Sequence, residues 1–153
     1  MKTIAKNTEI IPGIPYVYAI PTSFITLINQ GSIELSKPAA EIMYAFEKAT
    51  DSDAMSINST ETDAGIHYNS NVRLFIPGLS IENISLLKEL AMFKHVIIWK
   101  SYGGDYWRIG NKSHGLDFSY SQTTSPRIGY QITFSGNVLE PPKIVNPNSL
   151  FSE

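Results

Sequence analysis

The chain has no cysteine among its 153 residues. Disulfides, thiolate metal centres and cysteine nucleophiles are therefore excluded, and the core must hold without covalent staples. The length permits this: a chain of this size buries roughly two-thirds of its unfolded surface and is expected to form one domain. Charge is scarce too. Asp, Glu, Lys and Arg make up 17% of the residues, against the ~25% usual in soluble domains. The net charge of −2 argues against a general electrostatic grip on nucleic acid. No apolar run approaches the ~18 residues that a spanning helix needs. The opening MKTIAKNTEIIPGIP is interrupted by Asn7, Glu9, Pro12 and Pro15. It lacks the apolar region of a signal peptide, so export by the ordinary route is not expected. The sequons at Asn58, Asn83 and Asn111 are then read as chance matches.

Chemistry-bearing motifs are as sparse as charge. His67, His95 and His114 are not at metal-ligand spacing, and there is no HExxH, P-loop, GxSxG or GxGxxG pattern. Asp51, Asp53, Glu61 and Asp63 cluster as calcium ligands do. An EF-hand loop from Asp51 needs glycine at its sixth position and glutamate at its twelfth, where this chain has Ser56 and Thr62. These carboxylates are read as solvated loop groups. Asp105 and Asp117 fall on neighbouring predicted strands and can be nominated as a glycosidase pair, but nothing around them completes a reaction. No enzyme activity, metal or cofactor is expected.

Polar uncharged residues fill the space that charge leaves, and the pattern among them is β. The stretch His95–Pro142 organises the chain. Four strand-like segments follow one another there: His95–Lys100, Asp105–Ile109, Leu116–Tyr120 and Ile128–Ser135. In the last, Ile128, Tyr130, Ile132 and Phe134 alternate with Gly129, Gln131, Thr133 and Ser135, which puts large apolar side chains on one face. Gly103-Gly104 reads as a hairpin turn. The aromatic residues Trp99, Tyr102, Tyr106 and Trp107 crowd that hairpin. They are read first as core and cross-strand pairs, and second as a stacking platform for sugar.

Upstream, Tyr16–Ile20, Phe24–Ile28 and Ile42–Phe46 read as strands broken by Pro21, Gly31 and Pro38. Ala39–Ala49 has helical propensity, but a strand is preferred there. Met55–Asn58 and Val72–Ile76 read as strands around a turn at Thr62–Gly65. Residues 80–93 form the best helix. Ser80 is a good N-cap, Leu79 and Ile84 are placed to staple the first turn, and Ile84, Leu87, Leu90 and Ala91 make an apolar stripe. The expected fold is mainly β (α+β): an antiparallel β-barrel or sandwich flanked by one α-helix lying across an open face or end. Residues 1–15 are expected to be an N-terminal arm, 16–142 a single β-rich domain and 143–153 a C-terminal tail.

Residues 55–142 resemble small virion proteins of tailed bacteriophages, especially those of Bacteroides-like hosts. The likeness rests on the turn Asp63-Ala64-Gly65, the strand end Phe75-Ile76-Pro77-Gly78, one helix, and the hairpin Trp99–Arg108. Ile109-Gly110, Gly115-Leu116 and the run Gly129–Gly136 (GYQITFSG) complete it. The resemblance implies a tail-tube, tail-terminator or neck-connector protein. Its subunits would form a hexameric or dodecameric ring beside portal, neck or other tail ring proteins. DNA would pass through the lumen without sequence-specific binding, and no membrane would be involved. It implies a virion location after assembly in the host cytoplasm. It also implies an inter-subunit role for the hairpin carrying Trp99, Tyr102, Gly103, Gly104, Tyr106 and Trp107. The alternatives are a subunit of a phage-tail-like contractile injection device and a carbohydrate-binding β-sandwich module.

Overall fold

A computed structural model describes residues 2–5, 16–29, 31–47, 54–77, 81–100, 104–124, 128–147 and 150. The strands are β1 (Lys2–Ala5), β2 (Tyr16–Pro21), β3 (Ile25–Asn29), β4 (Ser32–Leu35), β5 (Tyr44–Glu47) and β6 (Ala54–Thr62). After them come β7 (Gly65–Pro77), β8 (His95–Lys100), β9 (Tyr106–Ile109), β10 (Asp117–Thr123), β11 (Gly129–Val138) and β12 (Lys143–Val145). Helix α1 (Ala39–Ile42) precedes β5, and α2 (Ile81–Leu90) joins β7 to β8.

The strands form a sandwich of sheets with no closed barrel. One sheet has six strands in the order β1-β5-β2-β8-β9-β12, another has four in the order β10-β11-β7-β6, and β3 and β4 pair by themselves. The six-stranded sheet is the middle layer. Along β8, Ile97 and Trp99 enter one core while Val96 and Ile98 enter the other. A strand buried on both faces has no polar side to show, which is why HVIIWK reads as a continuous apolar run. The β11 strand has only one buried face and alternates. Its Tyr130, Ile132 and Phe134 meet Phe46, Ala19 and Val17 of the middle sheet in the larger core. The β3–β4 hairpin closes the smaller core on the opposite side, through Ile25 and Ile33 against Val96, Ile98 and Met43.

Helix α2 anchors on Leu87 and Leu90, both fully buried in the larger core. Glu82 in its first turn and Lys88 in its last suit the helix dipole. The expected Ser80 cap and Leu79 staple lie outside the described residues. No described helix is long and apolar enough to cross a membrane.

Several expectations change. Residues 39–47 are not one strand: Pro38, at φ −55°, opens the single turn of α1, and the chain becomes extended again at Met43. Part of the expected N-terminal arm is β1, which pairs in parallel with β5. Part of the expected C-terminal tail is β12, paired with β9, and Val145 and Leu150 are buried in the smaller core. The hairpin β8–β9 and the strand β11, consecutive parts of His95–Pro142, belong to different sheets. The two sheets touch at a corner where the His95 and Leu116 amides each donate to the other's carbonyl, at 2.9 and 2.7 Å. Ile128 is exposed, unlike the three apolar residues that follow it in alternation.

Candidate functional site

The aromatic hairpin is built into the fold. Trp99 is buried and stands directly opposite Trp107, which is half-buried against the same core. Tyr106 packs on the smaller core, and the Lys100 Nζ sits 5.7 Å from its ring centroid. The β8 strand is taken by β2 on its other side, and β9 by β12. The hairpin thus offers no free strand edge where it is paired, and Trp99 offers no open ring face. Gly104 is exposed in the turn with φ +91°. Tyr102 and Gly103 lie outside the described residues.

The titratable groups hold the sandwich together. His95 is fully buried, ringed by Tyr44, Phe118 and Phe134. Its Nε2–H donates to the Leu90 carbonyl at 2.9 Å, tying the end of α2 to the corner between the sheets. Its Nδ1 has no partner among the described residues. Burial pushes its pKa down to about 4, so the ring is neutral at ordinary pH. The Tyr44 hydroxyl donates to Glu89 Oε1 at 2.6 Å. Burial, then the bond to this carboxylate and its charge, raise the phenol's pKa well above the usual range. Arg108 is buried, with Nη1 donating to Gly110 O at 2.6 Å and to Glu140 Oε2 at 3.4 Å.

His67 is half-buried on β7 and His114 is exposed in a loop. Among the described residues, no three His, Asp or Glu side chains gather as a metal set. Asp105 and Asp117 are not on neighbouring strands: the first precedes β9 and the second opens β10, in different sheets. Asp117 is exposed and 3.7 Å from Lys94 Nζ. An open groove of about 880 Å³ runs beside β4, lined by Glu34, Lys37 and Leu35 among others.

The surface with the most unusual character is the outer face of the four-stranded sheet. Registers are unbroken across β10, β11, β7 and β6, so rows of side chains can be read directly. The inward rows carry Phe134 with Val72 and Ile132 with Leu74. The outward rows carry Ser119, Thr133 and Arg73, then Asp117, Ser135, Asn71 and Ser56, then Asn137, Asn69 and Asn58. This face is hydroxyl and amide with two charges in those rows. Its one large apolar group, Phe75, is buried over Gly129, where a Cβ would lie 2.7 Å from the ring.

Both edges of that sheet end without a further strand among the described residues. Sheets normally blunt their edges with lysine, proline or a bulge. The β6 strand has nine residues, AMSINSTET, and β10 has seven, DFSYSQT. Neither contains lysine, arginine or proline, and neither pairing is broken by a bulge. The full length of β6 and the first half of β7 escaped sequence reading because Asn, Ser and Thr alternate there with few apolar residues. The turn at Thr62–Gly65 was the available signal, and it closes the hairpin with Gly65 at φ +116° and the Thr62 hydroxyl donating to Gly65 O at 3.0 Å.

Comparison with protein families, with curated proteins and with solved structures finds no match to this chain.

Proposed function

We propose that the chain is a structural subunit of a tailed-bacteriophage virion, forming a homo-oligomeric ring in the neck or tail through which DNA passes. The observation that carries this reading is the four-stranded sheet, whose two edge strands, β6 and β10, pair with no further strand among the described residues and whose outer face is polar with few charges. Unpaired edges of this kind are templates for another strand, and main-chain bonds across them link subunits without a pocket. A hydroxyl and amide surface with few cations lets a polyanion slide past without neutralising its phosphates. The low overall charge and the resemblance of residues 55–142 to small virion ring proteins point the same way.

In this reading copies associate head to tail about a rotation axis and close into a hexamer or dodecamer. Neighbouring portal, neck or tail ring proteins stack above and below. Mass spectrometry of particles purified from a culture carrying this gene tests the assignment. The chain is expected in the particles at a constant ratio to capsid protein. Particles without it would overturn the reading.

A further inference from the structure

We infer that the cleft between β3 and the loop 111–113 binds a small dianion of the phosphate class, held by Arg108 and Lys112. The inference goes beyond the ring reading above and does not rest on it.

Arg108 lies on β9, flanked by Ile98 of β8 and Lys143 of β12. Side chains alternate along a strand, and Tyr106, two residues earlier, packs on the smaller core. Arg108 therefore faces the side that the β3–β4 hairpin covers. There it lines a cleft of about 220 Å³, with β3 and the loop 111–113 as walls and Glu140 beside it. Asn111 Oδ1 accepts from the Ser113 and His114 amides at 2.9 and 2.8 Å, which fixes the loop that carries Lys112.

Arg108 is only 5% exposed, yet its charge is poorly matched. Its bonds to Gly110 O and Glu140 Oε2 both come from Nη1. The second, at 3.4 Å, is long beside the ~2.7–2.9 Å of a charge-assisted bond. Glu140 Oε2 is also shared with Lys143 Nζ at 3.7 Å. Nε is buried with no partner among the described residues. Nε and Nη2 form one edge of a guanidinium, two parallel N–H groups that an oxyanion takes as a fork. Buried donors on a cation are costly to leave unsatisfied, so that edge calls for an acceptor. Charge sets the kind of acceptor. Arg108, Lys112 and Lys143 gather about one carboxylate, Glu140, and three cations less one anion leave a net charge of +2. A phosphate dianion balances that excess, whereas the monoanionic diester of a nucleic-acid backbone balances half of it. The cleft is smaller than the ~300 Å³ at which drug-sized pockets begin, so the ligand is small.

Calorimetric titration of the full chain with inorganic phosphate, at constant ionic strength in chloride, tests the site. One phosphate per chain is expected, with a rise in the urea midpoint when phosphate is present. Lys112 is exposed, so Lys112→Ala should spare the fold and weaken binding roughly two- to fivefold. Glu140→Gln removes the carboxylate that competes for Arg108 and is expected to tighten binding by about threefold or more. An arginine that serves the fold alone would leave phosphate affinity unmoved by either change. Methyl phosphate, titrated in parallel, distinguishes the source: binding as tight as phosphate assigns the site to a phosphomonoester, and weaker binding assigns it to the free ion. Dimethyl phosphate, a monoanion, is expected not to bind at concentrations of phosphate that fill the site. Neither heat nor a shifted midpoint with phosphate would overturn the inference. So would equal affinity in the parent and both variants, or dimethyl phosphate binding as tightly as phosphate.

Discussion

Gly129 is the clearest case of one residue fixing local geometry. A Cβ there would lie 2.2 Å from the Ile76 carbonyl oxygen and 2.7 Å from the Phe75 ring, closer than real contacts allow. Gly129→Ala is therefore expected to destabilise the chain by ~1–3 kcal/mol, the usual cost of overpacking, read as a lower urea midpoint with the slope unchanged. An unchanged midpoint would show that β11 and β7 can separate there without penalty. His95 makes a second prediction. Burial holds its folded-state pKa at about 4, below the ~6.5 of an exposed imidazole. Between those values the unfolded chain binds a proton that the folded chain does not. Stability should therefore fall as pH drops through that window, by up to about 3 kcal/mol, and the contribution should level off below it. Urea titrations of the parent and His95→Phe across this range isolate it. The variant is expected to lose this part of the pH dependence; equal slopes would rule His95 out.

Among the elements, α2 and the strands of His95–Pro142 were legible because they declare a period. Leu87 and Leu90 fall on one stripe and are both fully buried. Leu87→Ala or Leu90→Ala is expected to cost about 2–5 kcal/mol by chemical denaturation, as deep leucine truncations do. A loss below 1 kcal/mol would mean that the helix is not an anchor of the core. Other elements were hidden for physical reasons. The turn of α1 follows Pro38 and lasts four residues, too short for a 3.6-residue period to show. The hairpin of β6 and β7 runs beyond the core, with Asn58, Thr60 and Glu61 exposed on it, so hydrophobic alternation does not mark it. The aromatic hairpin was visible, but its place was not. Only the pairing of β8 with β2 and of β9 with β12 shows that it sits inside a sheet. The proposed assembly surface was the least legible part. An unpaired edge is defined by what fails to lie beside it, and no short motif records that.

At the scale of the whole molecule, the sandwich has a buried middle layer, a capped side and one polar side whose edge strands meet no further strand among the described residues. A solitary domain gains nothing from leaving such edges unguarded, whereas a subunit that completes its neighbour's sheet needs them. In the ring reading, a charge placed on the edge strand β10 is expected to block association while sparing the fold. Tyr120→Lys does this at an exposed position on the inward side of β10. The most direct measurement is electron microscopy of the purified, concentrated parent chain, with Tyr120→Lys imaged alongside. The account predicts closed rings with a central lumen for the parent and isolated monomers for the variant. A parent that stays monomeric at every concentration, or rings that persist unchanged in Tyr120→Lys, would contradict it.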